Sequence, residues 1–108
     1  MTLQTKLEPL GAAFAKIVSN AYHYWRPNIA PPFLVWAEEA ENGLEADNIK
    51  EGQAVRGTVD YYTKTEFDPA VDSIQAALND FGAAWYLNSV QYEGETNLIH
   101  HEWVWEVL

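Results

Sequence analysis

Asp60 to Leu78 reads "DYYTKTEFDPAVDSIQAAL", and its interpretation separates two kinds of protein. Taken as a list of groups, the stretch concentrates hydroxyls, a lysine and acids as a catalytic site would. Taken by position, it is a joint. Asp68 stands where an N-cap side chain accepts from the first helical amides, and Pro69 has the fixed φ of a first helical position. Val71, Ile74, Leu78 and Phe81 then recur on one face until Gly82 closes the helix. Upstream, Val55, Val59 and Tyr61 alternate with Arg56, Thr58 and Asp60, the period of a half-buried strand, with Gly57 weakening it or marking a bulge. Thr63 to Phe67 is therefore the crossing from strand to helix, and Phe67 is expected to staple against the first turn.

Working outward, Leu3, Leu7, Leu10, Phe14, Ile17 and Val18 fall at helical spacing. Pro9 belongs in a first turn, so the expectation is a short lead followed by a helix from Pro9 to Asn20. "YHYWRPNIAPP" (22–32) mixes aromatics with three prolines and reads as irregular. "FLVWAEE" (33–39) is a strand, and Ala40 to Gly52, with four acids, two asparagines and two glycines, reads as a long exposed loop. After Gly82, "AWYLNSVQY" and "IHHEWVWEV" flank "EGETN" as a hairpin. In the last strand His101, Trp103, Trp105 and Val107 share one face, while His100, Glu102, Val104 and Glu106 share the other. The expected architecture is a two-layer α+β domain: a mainly antiparallel four-stranded sheet packed against two helices, in the order α-β-β-α-β-β.

Composition narrows the function. A chain of 108 residues fits one domain that buries ~60–70% of its unfolded surface. With 48% hydrophobic residues, five Trp and six Tyr it must fold, and such an aromatic content either fills the core or is covered by a partner. Sixteen acids against six scattered bases give a net charge of −10. With no basic patch to neutralise phosphates, specific nucleic-acid binding is not expected, although an acidic wall suits DNA that slides past without sticking. The absence of cysteine excludes disulfides and thiolate sites. No run approaches the ~20 apolar residues of a membrane span, and no basic region followed by an apolar core opens the chain, so a cytoplasmic or assembled-particle location is expected.

Catalytic and metal constellations are weak. His100 and His101 are neighbours and point to opposite faces of a strand, so both cannot bind one metal; His23 could join either, but no spacing requires it. Neither a Gly-x-Ser-x-Gly turn nor a glycine-rich phosphate loop occurs. Lys64 lies in an exposed-looking turn, where a solvated lysine is the expected state. No cofactor, metal ligand or catalytic residue is assigned, and the chain is not expected to be an enzyme.

"PPFLVWAEE", "EADN", "YYTKTEFDPAVDSIQAAL" and the terminal "HHEWVWEVL" together resemble the small tail-completion or tail-terminator proteins of long-tailed phages and prophages. The resemblance spans roughly Pro31 to Leu108, and "YHYWRPNIA" departs from it. It implies a virion protein that forms a ring, usually a hexamer, capping the head-proximal end of the tail tube and offering the surface on which the head docks. Its partners would then be copies of itself, the tail-tube protein and a head-completion or connector protein, with DNA only as passing cargo and no membrane. Closing a ring needs two different patches per subunit. The candidates are Trp25 and Arg26 on one side, and Glu45, Asp47, Asn48 and Lys50 of the long loop on the other. The competing roles are another connector or tail-tube component, or a small ligand-binding module lined by aromatics such as Trp36, Trp85 and Trp103.

Overall fold

A computed structural model describes residues 2–26, 28–44 and 49–108, and within 41–53 it describes the backbone but not the side chains. Seven elements follow one another: α1 (Leu3–Ile17), β1 (Ala21–His23), β2 (Phe33–Leu44), β3 (Ile49–Thr63), α2 (Pro69–Phe81), β4 (Ala84–Glu93) and β5 (Leu98–Val107). The protein is α+β, and its sheet is five-stranded and mixed, in the order β1-β2-β3-β5-β4. The expected four antiparallel strands are β2 to β5. The fifth, β1, runs parallel to β2 at its free edge, pairing Ala21 with Leu34 and His23 with Trp36. Three residues are too few for a period-2 pattern to register. The strand is held by backbone bonds, Leu34 N–H to Asn20 O and Tyr24 N–H to Trp36 O, both 2.9 Å.

Three other expectations change. First, α1 is continuous through Pro9 and is capped by Thr2, whose side chain accepts from the Thr5 amide. Leu7, Leu10 and Phe14 are buried along one stripe, and burying ~1.5–3 kcal/mol of side chain at each position outweighs the ~3 kcal/mol cost of an interior proline. Second, the expected loop from Ala40 to Gly52 is mostly paired backbone, with the β2–β3 ladder running out to Leu44 opposite Ile49. β5 stops pairing with β3 at Val55 opposite Val107, so the outer part of the hairpin is a two-stranded arm. The sequence of this ribbon carries no apolar alternation for a sequence reading to find. Third, Phe67 does not staple the helix. It is fully exposed with φ +51°, and the position it would pack on, the fourth of α2, is Asp72.

The joint itself is built as read. Asp68 caps α2 through Ala70, and Gly82 ends it at φ +85°, its amide bonding to Asn79 O and Leu78 O. Both helices pack on one sheet face over Leu34, Val59, Tyr61, Trp103 and Trp105. β3 and β5 are in register there, with Val59 opposite Trp103 and Gly57 opposite Trp105. Gly57 has no side chain because there is no room for one. A Cβ would collide with Ala37 O and with the Trp105 ring, whose Cε2 would be 2.8 Å away. Beside it, after the pair with Glu38, the β2–β3 register shifts by a bulge.

Candidate interaction surfaces

Three side-chain clusters lie outside the main core. The joint forms the first. The Tyr61 and Thr63 hydroxyls each donate to Asp68 Oδ2 at 2.7 Å, and the Ala70 amide donates to Oδ1 at 2.9 Å. Burial pushes the Asp68 carboxyl up, but the Ala70, Thr63 and Tyr61 hydrogen bonds outweigh it and hold the group below its ordinary value. Burial and the Asp68 charge push the Tyr61 phenol well above its usual range. His101 stands beside them, with its pKa depressed mainly by burial. Tyr61, Thr63 and Asp68 are thus engaged with each other, as an ionised cap with two neutral donors.

On the sheet face away from the helices, Phe33, Tyr62 and His100 occupy facing positions on β2, β3 and β5 and stack in series, at 4.6 Å and 4.2 Å between ring centroids. His100 Nε2 is 2.7 Å from Asp60 Oδ1. Over this ladder Arg26 lays its guanidinium, 4.6 Å from the Tyr62 centroid and 5.2 Å from Phe33. Such stacking covers the rings and leaves the in-plane N–H donors of arginine open. Trp25, beside Arg26, packs against the ring of Tyr22 and is 62% exposed.

The third cluster lines a cleft of about 610 Å³ between α1 and β1. Trp36, His23 and Tyr24 stack in series, 4.0 Å and 3.8 Å apart. His23 Nε2 sits 2.7 Å from Glu38 Oε1, and the Tyr24 hydroxyl donates to Glu38 Oε2. Burial acts to raise the Glu38 pKa, but these two hydrogen bonds prevail and lower it.

Of the residues singled out in the sequence, Trp25 and Arg26 therefore lie together on the surface at the β1 edge. Glu45, Asp47 and Asn48 fall outside the described residues, as does the Lys50 side chain. His100 and His101 do take opposite faces, and among the described residues no three His, Asp or Glu side chains converge as a metal set. Trp36, Trp85 and Trp103 do not share a pocket. Trp36 lines the α1 cleft, Trp103 is fully buried with its indole donating to Gln75, and Trp85 bonds to Asn79.

Sequence reasoning missed an apolar groove at the opposite edge. Leu87, Val90 and Tyr92 of β4 are 44%, 52% and 66% exposed because α2 does not reach over that end of the sheet. With Phe67, Val71, Ile99 and His101, Leu87 and Val90 border a depression of about 420 Å³, rimmed by Glu66, Asp68 and Asp72. The signal was the spacing within β4, where Trp85, Leu87, Val90 and Tyr92 stay apolar past the span that one 13-residue helix covers.

No family model and no curated protein matches the chain. Its fold is shared. A chain of a solved structure described as the virion of a native gene transfer agent particle superposes with a TM-score of 0.52 at 15% identity, covering 96% of this chain and 91% of that one. No helix among the described residues is long and apolar enough to cross a membrane.

Proposed function

We propose that the protein is a structural assembly component of a phage-like particle, of the tail-completion kind: a ring of identical subunits that caps the head-proximal end of the tail tube and presents the head-docking surface. The observation that carries this reading is the fold likeness to a chain of a gene transfer agent virion over 96% of the present chain, joined to the sequence motifs of the joint and the last strand.

Other features support it. The two-stranded arm of β2 and β3 projects past β5, a form that is marginal in isolation and is stabilised when a neighbour covers it. The two sheet edges, β1 and β4, carry different exposed apolar groups, as head-to-tail contacts require. The net charge of −10 suits a passage for DNA without adhesion. The role is non-catalytic, and the ring is placed as a hexamer by the resemblance alone.

Native mass spectrometry over a concentration series, with and without purified tail tubes from the same host, tests the reading. A closed oligomer, formed alone or on tubes, is expected. A chain that stays monomeric at high concentration and in the presence of tubes overturns it.

A further inference from the structure

We propose that Trp25 of one copy inserts into the groove bordered by Phe67, Leu87, Val90 and His101 of the next copy, with Arg26 meeting the acidic rim formed by Glu66 and Asp72. This contact names the partner of the exposed knuckle and rests on the ring reading.

Knob and hole are complementary in shape and charge. The knob is an indole 62% exposed, followed by a cation that finds no carboxylate partner among the described residues, where the pairs are His23–Glu38 and His100–Asp60. The hole is an apolar depression of about 420 Å³ with three carboxylates on its rim. Aromatic rings bury ~150–250 Å² each, and interface anchors are enriched in Trp and Arg. Arg26 can hold its place on the Tyr62 ring while its edge donors reach carboxylates across the contact.

Placement supports the same pairing. The knob follows β1 and the hole lies on β4, the two outer strands of the sheet, so one copy's knob reaches the next copy's hole without blocking its own. Such a contact is heterologous and repeats around a ring. The groove also holds features that the isolated fold does not use. Phe67 is fully exposed in a left-handed backbone conformation, a costly arrangement for a bulky side chain that persists where a function retains it. The His101 ring also borders the groove, and its Nδ1 is buried without a hydrogen-bond partner among the described residues.

The test uses two single variants of the full chain, Trp25→Ala, which removes the knob, and Val90→Glu, which spoils the hole. Both positions are exposed, and circular dichroism with thermal melting checks that each variant folds. Each alone is expected to lose association by ~100-fold or more. Mixed in equal amounts, the two are expected to form a 1:1 heterodimer that grows no further, because each supplies the half the other lacks. Wild-type association by either variant, or a mixture that stays monomeric, overturns the contact, as does a wild type that never associates. The ring reading fails separately: rings that form through this contact but do not cap tubes refute the tail role alone, whereas capping rings in both variants refute the contact alone.

Discussion

Asp68 carries three hydrogen bonds on one carboxylate, and its removal should be felt beyond the helix cap. Asp68→Ala is expected to cost about 1–3 kcal/mol in urea unfolding, because the Tyr61 and Thr63 hydroxyls lose their acceptor as well as the cap being lost. The native Asp68 carboxyl titrates below its unfolded value, so its stabilisation is present above pH ~4 and fades as pH falls through the native pKa. The gap between wild type and Asp68→Ala should therefore narrow below pH ~4; a constant gap down to pH 2 would show that the ionised form is not what the joint needs. His101 acts in the same direction at milder acidity. With its pKa depressed in the folded state, stability falls as pH drops below ~6.5, where the unfolded chain binds the proton first. The two core tryptophans differ in a testable way: Trp103 donates to Gln75 at 3.0 Å, while the Trp105 indole nitrogen is buried without a partner among the described residues. Trp103→Phe should cost ~1 kcal/mol more than Trp105→Phe in chemical denaturation, and equal costs would remove the hydrogen bond as the distinguishing factor.

At the scale of elements, Gly57 shows how a single position fixes the sheet. Its missing side chain lets Trp105 lie against β3, so Gly57→Ala is expected to destabilise by ~1–3 kcal/mol through overpacking. A neutral result would mean that the indole moves aside at no cost. Where an element carries a buried face, its sequence announces it. α2 has its cap, its stripe of Val71, Ile74 and Leu78, and its closing glycine, and β3 and β5 alternate as strands with one covered face must. Short or outlying elements leave no such trace. β1 is three residues beside prolines, and the β2–β3 arm is a ribbon whose acids, asparagines and glycines imitate a loop. Pro9 misled for the opposite reason, because a packed stripe overrode a local preference. The candidate surface was legible in halves. Trp25 and Arg26 stand out as an aromatic-basic pair among prolines, whereas the groove beside the first turn of α2 left only the apolar spacing of β4 as its trace, and that it stays open is a fact of tertiary layout.

For the whole molecule, the topology sets a sheet with two unlike edges and a two-stranded arm, features that the head-to-tail contact proposed above would use. The chain buries a core around Trp103 and Trp105 yet leaves Tyr24, Trp25, Phe67, Val90 and Tyr92 in solvent, apolar surface of the kind that marks interaction sites. Its fold recurs in a chain of a gene transfer agent virion. Electron microscopy of purified tail tubes incubated with the protein tests the assembly role most directly. Rings seated at one end of each tube, absent without the protein and halting further tube growth, are the expected result; tubes with bare ends, or decorated along their length, would contradict it.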